Sequence, residues 1–173
     1  MDLKKIKAFA FDIDGVATEG TLLCMPDGDF LRLYDAKDGF AIRMACMNGY
    51  HVAVITGGSS ESIRKRMIAS GIKPEDVFLH CRDKREQFHQ FCERYNLQPE
   101  DVMYFGDDVP DMDVMKECGC GVCPADAVEE VIAIADWVST RPGGRGCLRE
   151  CIEGTLRAQG KWVFNPGEYK RKF

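Results

Sequence analysis

Short apolar runs alternate with amphipathic stretches along most of the chain. "IKAFAF" (6–11), "HVAVIT" (51–56), "DVFLH" (76–80), "DVMYFG" (101–106) and "GVCPA" (121–125) are apolar or β-branched and bounded by turn residues, which predicts buried strands. The stretches between them predict helices over 37–49, 59–71, 83–96, 111–119, 127–135 and 146–159. In the first of these, Phe40, Met44 and Met47 recur at helical spacing and Gly49 follows as a stop. In the third, Phe88, Phe91, Cys92 and Tyr95 share one face. Strands separated by helices make βαβ units. The expected fold class is therefore α/β: an open, mostly parallel, Rossmann-like sheet with helices on both faces, in one domain over 1–173.

One segment departs from this rhythm. "TLLCMPDGDFLRLY" (21–34) has two extended runs around Asp27-Gly28, a hairpin signal, inserted between the first strand and the first helix. A lone two-stranded hairpin is marginal in water, and this one carries Leu22, Leu23, Met25, Phe30, Leu31 and Leu33. The expectation is that it packs against copies in other subunits. The other reading folds it back on its own domain.

Composition narrows the partners. With 45% hydrophobic and 29% charged residues and a net charge of −5, general nucleic-acid binding gets no support. No apolar run approaches the ~20 residues of a membrane span. The N-terminus leads directly into the first strand with no signal-peptide pattern, so the chain reads as cytoplasmic. Of nine cysteines, Cys118, Cys120 and Cys123 cluster in "CGCGVC". No second cluster supplies a fourth ligand, so buried, reduced packing is the expectation.

The chemistry lies at the strand ends. Asp12 and Asp14 follow the first strand and Gly15 permits a tight turn there. Thr56 ends the second strand, with Gly57 and Gly58 after it, and Lys84 opens a later helix. "GDDVPD" (106–111) places Asp107, Asp108 and Asp111 after another strand. In open parallel sheets these positions share one edge, where ligands bind. Carboxylates that close repel one another unless something positive sits among them. A cluster of them suits Mg²⁺, which takes one or two carboxylates together with substrate phosphate oxygens. Asp12 is then the candidate nucleophile, forming an aspartyl phosphate. Asp14 is placed to protonate the leaving alcohol and later deprotonate water. Thr56 and Lys84 neutralise the phosphoryl oxygens. Taken singly, each motif is an ordinary loop, turn or cap; their joint order makes the pattern.

That order resembles the haloacid dehalogenase superfamily of phosphatases, with "DIDG", Thr56-Gly57, Lys84 and "GDDVPD" matching its four motifs. The resemblance implies metal binding by the Asp12 and Asp107 side chains and the Asp14 backbone carbonyl, with Asp108 and Asp111 as neighbouring or second-layer positions. Neither the Asp14–Thr56 gap nor the Thr56–Lys84 gap has room for a cap domain. Within the capless members the chain is similar to the 3-deoxy-D-manno-octulosonate 8-phosphate phosphatases, carried by "FDIDGV", the hairpin, "KDGFAI", "ITGG", "GDDVPDMDVM" and "GGRGCLRE" (143–150). These are homotetramers that assemble through such hairpins and serve lipopolysaccharide precursor synthesis. The tail beyond Arg157 and the cysteine-rich "CGCGVC" depart from the pattern.

The implied substrate is a phosphorylated eight-carbon sugar acid. Gly57 and Gly58 are expected at the substrate, with Arg66, and after it Arg64, as cationic contacts; Arg145 and Arg149 are left between a site and a surface role. Gly58 stands where phosphatases of nine-carbon sugar acids present a glutamate, which favours the eight-carbon substrate and keeps the nine-carbon one as the alternative. A receiver-like signalling domain is the remote alternative. It needs a phosphate acceptor at the end of a middle strand, where this chain has "ITGG".

Overall fold

Alternate residues of each central strand face opposite layers, and this alternation builds two cores. In a computed structural model that describes residues 2–163, Phe9 and Phe11 of β1 (Ala8–Phe11) enter one core, while Ala8 and Ala10 enter the other. The first core is closed by α1 (Ala36–Met47), α2 (Glu61–Ala69) and α6 (Cys147–Ala158). The second is closed by α3 (Lys84–Arg94), α4 (Met112–Glu117) and α5 (Glu129–Ile132).

The six-stranded sheet runs β5 (Val77–Phe78), β4 (His51–Ile55), β1, β6 (Val102–Phe105), β7 (Cys120–Cys123), β8 (Trp137–Val138), and every pairing in it is parallel. The chain leaves β1 toward β4 and β5, then returns to β6 on the other flank of β1. Strand order therefore reverses between β1 and β6, where open sheets of this kind form their crevice. Asp12 and Asp107 follow those two strands.

β2 (Leu23–Cys24) and β3 (Phe30–Leu31) form the expected antiparallel hairpin around Asp27-Gly28, separate from the main sheet. Leu23, Leu31 and Leu33 are exposed at 62%, 53% and 80%.

Two expectations need correction, and one strand is added. The helix expected over 127–135 is helical only at Glu129–Ile132, the residues after it forming turns. The strand expected over 76–80 shortens to two residues, because His80 takes a positive φ of 58°. β8 is an addition. Two residues between Asp136 and Ser139 are too short a run to register as a strand in the sequence, and only pairing with β7 makes them one. The tail over 160–173 lies, from residue 164 onward, outside the described residues.

The cysteines behave as packing residues. Cys120, Cys123, Cys147 and Cys151 are buried, none of the nine is in a disulfide, and burial pushes the Cys120 thiol up to about 12.

Candidate active site

β1 ends at Phe11 and the backbone then makes one wide turn over Ile13–Ala17, closed by the Thr18 N–H donating to the Ile13 carbonyl. The turn is possible because Gly15 takes φ +91°, and its missing side chain is required as well. A Cβ on Gly15 would lie 1.9 Å from Asp107 Oδ2. The Asp12–Gly15 segment thus packs directly on the aspartate that follows β6.

Asp12 caps this turn: its Oδ1 accepts from the Ile13 N–H at 2.6 Å and its Oδ2 accepts from Lys84 Nζ at 2.7 Å. Lys84, the first residue of α3 and buried, donates a second time to Asp111 Oδ1 at 2.7 Å. Asp111 Oδ1 also accepts from the buried Tyr104 hydroxyl at 2.6 Å, and its Oδ2 faces the Asp107 N–H at 3.3 Å. Carboxylate oxygens of Asp12, Asp107 and Asp111 all lie within 4.8 Å of one another.

Electrostatics follow from this crowding. Burial, with the Asp111 and Asp12 carboxylates beside it, pushes the Asp107 carboxyl up to about 8. Burial raises Asp12 to about 6 against the pull of Lys84. Burial works against charge on Lys84 too, but Asp12 and Asp111 outweigh it and hold the ammonium charged. One lysine thus bonds two of the three acids. Asp107 Oδ1 is a buried acceptor with no hydrogen-bond donor among the described residues, a position that a hard cation with oxygen ligands fills.

Thr56 follows β4, buried, with its hydroxyl accepting from the Gly58 N–H at 3.1 Å. Asp14 does not turn toward the other aspartates. Its two oxygens accept from Arg32 Nε at 2.7 Å and Nη2 at 2.9 Å, so its side chain is engaged by the hairpin. A Cβ on Gly58 would stand 3.4 Å from Arg32 Nη2 and 2.8 Å from Ile63 Cδ1. The room that Gly58 leaves is therefore partly taken by this chain's own Arg32 and Ile63.

The expected substrate arginines separate. The Arg66 guanidinium lies 5.7 Å from the Tyr34 ring centre, beside the hairpin's exit. Arg64 is not brought to the site: it donates to the Pro74 carbonyl at 3.0 Å and pairs with Glu61, at the far edge of the sheet before β5. One helical turn separates neighbours by about 100° per residue, so positions 64 and 66 diverge. Asp108 also stays outside the cluster, exposed and accepting from the Val109 N–H at 2.7 Å as the cap of a short turn. Asp111, expected as a neighbouring position, is fully buried at the centre. Arg145 pairs with Glu19, while Arg149 pairs with Glu153 and stacks on Trp162.

Sequence reasoning missed Arg32, Tyr34 and Tyr104. Arg32 reads as a polar residue of a strand pattern, and Tyr104 as one more apolar residue of β6. Tyr34 was available as an aromatic between the hairpin and α1; burial pushes its hydroxyl up to about 12, and that hydroxyl has no hydrogen-bond partner among the described residues.

Residues 76–146 match the haloacid dehalogenase-like hydrolase family. The chain is 34% identical over 158 residues to the 3-deoxy-D-manno-octulosonate 8-phosphate phosphatase KdsC of Escherichia coli, covering 91% of this chain and 83% of that protein. It superposes on the crystal structure of the Yersinia pestis 3-deoxy-D-manno-octulosonate 8-phosphate phosphatase with a TM-score of 0.89 at 32% identity, over 92% of this chain and 85% of that one. The enzyme of Moraxella catarrhalis, solved with magnesium, phosphate and KDO, superposes with a TM-score of 0.88 at 28% identity, over 93% and 91% of the two chains. The chain belongs to the haloacid dehalogenase-like hydrolases, in the family of the 3-deoxy-D-manno-octulosonate 8-phosphate phosphatases.

Proposed function

We propose that this chain, as one phosphatase domain over 1–173, hydrolyses 3-deoxy-D-manno-octulosonate 8-phosphate to the free sugar acid and inorganic phosphate, with Mg²⁺, in lipopolysaccharide precursor synthesis. The observation that carries the reading is the pairing of Lys84 with Asp12 at 2.7 Å beside the donor-less Asp107 Oδ1. The site has one oxygen ready to attack, a fixed positive charge next to it, and an acceptor left for a cation. The magnesium-bound relative of the same family supports that cation.

In this reading Asp12 Oδ attacks phosphorus, the bond to the sugar oxygen breaks, and Asp14 gives that oxygen a proton. Asp14 then takes a proton from the water that hydrolyses the aspartyl phosphate. Lys84 and the Thr56 hydroxyl hold the phosphoryl oxygens, and Asp111 with Tyr104 fixes Lys84. Gly57 leaves the approach beside Thr56 open, Gly58 does so only in part because Arg32 and Ile63 stand next to it, and Arg66 meets the remote anionic end of the sugar acid. Mg²⁺, held by the Asp12 and Asp107 side chains and the Asp14 carbonyl with Asp111 alongside, supplies charge neutralisation between substrate and acids.

Exposed Leu23, Leu31 and Leu33 on the hairpin support assembly through it as a homotetramer. Among the described residues no helix is long and apolar enough to cross a membrane, in keeping with a cytoplasmic enzyme. The test is phosphate release by the purified full chain with Mg²⁺ from the eight-carbon ester and from a nine-carbon sugar-acid 9-phosphate. Faster turnover of the first supports the reading. Preference for the second changes the substrate, and release from no ester removes the function.

A further inference from the structure

The start of α6 has no cap of its own. Gly146, just before Cys147, takes φ +107° and has no side chain to offer. The cap comes from Asp38, a buried residue in the first turn of α1. Its Oδ2 accepts from the Gly146 N–H at 3.0 Å and its Oδ1 from the Arg149 N–H at 2.7 Å. These are the two donors that a capping box satisfies from within one helix. Here a single carboxylate serves both, from 108 positions before Gly146. α1 is capped separately by Asp35, which accepts from the Lys37 N–H at 2.6 Å. Burial pushes the Asp38 carboxyl up to about 6 against the pull of its two N–H donors, so at neutral pH it is the anion that a helix N-terminus favours.

The capped segment lies on the turn that carries Asp12. The Gly144 N–H donates to the Val16 carbonyl at 2.8 Å, and the Cys147 thiol donates to the same oxygen at 3.3 Å. The Gly143 N–H donates to Asp126 Oδ1 at 2.8 Å, and a Cβ on Gly143 would stand 1.8 Å from the Gly15 carbonyl oxygen. Gly15 itself packs on Asp107. The turn therefore touches the start of α6 as closely as it touches the acid cluster.

We infer that Asp38 is a positioning residue for the Asp12 turn: by fixing the first turn of α6 it sets where Asp12 and Gly15 lie against Asp107 and Lys84. Two bonds from one carboxylate fix both the place and the rotation of the helix start, where a single bond would leave a pivot. A displacement of about 1 Å in a reacting group can cost about 10²-fold in rate, so a cap remote from the cluster reaches the chemistry. Only the effect on turnover rests on the phosphatase reading above; the hold on the turn does not.

The experiment compares wild type, Asp38→Asn, Asp38→Ala and Leu156→Ala. Leu156 is buried in the same core near the far end of α6, so its truncation loosens packing there and leaves the cap intact. Amide hydrogen exchange of the metal-free protein is followed at Thr18, whose N–H donates to the Ile13 carbonyl at 3.0 Å, a bond Asp38 takes no part in. It is read against strand amides of β6, which report global unfolding. Asp38→Asn should speed Thr18 exchange about tenfold or more relative to β6, and Leu156→Ala should not. With Mg²⁺, both Asp38 variants should lower kcat by about 10–10²-fold on the sugar-acid phosphate and on p-nitrophenyl phosphate alike, since a displaced nucleophile slows either ester. Their KM, and the kcat of Leu156→Ala, should stay within about threefold of wild type. Asp38→Asn keeps one acceptor oxygen and carries the test if the alanine variant does not fold. Thr18 exchange that moves only in step with β6, an unchanged kcat in Asp38→Asn, or equal losses in Leu156→Ala would overturn the inference. If wild type releases phosphate from neither ester, the phosphatase reading itself fails, and Thr18 exchange still decides whether Asp38 holds the turn.

Discussion

Lys84 and Asp12, seventy-two positions apart in the chain, meet at 2.7 Å where the start of α3 faces the end of β1. The same ammonium reaches Asp111, and no second cation among the described residues is recorded in contact with these two acids. Removing it leaves buried carboxylates opposed. Lys84→Met should destabilise the metal-free protein by about 3–5 kcal/mol, the usual cost of breaking a buried pair, and lower turnover by at least about 10²-fold. Urea unfolding and phosphate release check both.

Asp12→Asn separates chemistry from stability. The amide is a poor nucleophile, so turnover should fall on the order of 10⁴-fold. Yet one carboxylate fewer in the cluster relieves repulsion, so the melting temperature without metal should hold or rise. Retained turnover would remove Asp12 from the nucleophile's role.

Gly15→Ala asks for a side chain at φ +91° and 1.9 Å from Asp107 Oδ2. A backbone cost of about 1–3 kcal/mol is expected, together with loss of Mg²⁺ binding well beyond what that destabilisation explains. Magnesium titration by calorimetry on the folded variant measures it.

The pH dependence follows from Asp107, raised by burial and its acidic neighbours from an ordinary 3.8 to about 8. A carboxyl raised in the fold stabilises below its unfolded value, and that contribution is lost as pH climbs through the folded one. The metal-free protein should therefore lose stability between about pH 4 and 8. Mg²⁺ must displace the Asp107 proton below pH 8, so its affinity should weaken by up to tenfold per unit there and level off above. Calorimetry at pH 7 in buffers of different ionisation enthalpy should show about one proton released per ion.

Hairpin assembly is tested by Leu31→Glu with Leu33→Glu, two exposed positions whose charge should not disturb the main sheet. Light scattering should report a shift from oligomer to monomer. An unchanged mass would assign the hairpin to its own subunit alone.

The central strands were readable because each is a run of apolar residues bounded by polar ones, and the aspartates because they stand where such runs stop. The parts that escaped depend on contacts between distant segments. β8 exists only by pairing with β7. Arg32 becomes part of the site only because the hairpin folds over Asp14, eighteen positions earlier. Arg64 and Arg66 look equivalent in sequence, yet helix rotation sends the first to Pro74 and the second toward Tyr34. Asp108 and Asp111 are carboxylates three positions apart in one motif, and the turn between them exposes one and buries the other.

Gly143 and Gly144 bring the loop before α6 onto the turn that follows β1: a Cβ at Gly143 would lie 1.8 Å from the Gly15 carbonyl oxygen, and the Gly144 N–H donates to the Val16 carbonyl at 2.8 Å. The first-synthesised part of the centre is thus braced by a segment that follows every other residue of the cluster in the chain. A nascent polypeptide can display both aspartates before it can hold them in place, so competence waits until the glycine pair has emerged. Fragments cut short ahead of that glycine pair should lack both a working centre and the α6 layer that closes the first core.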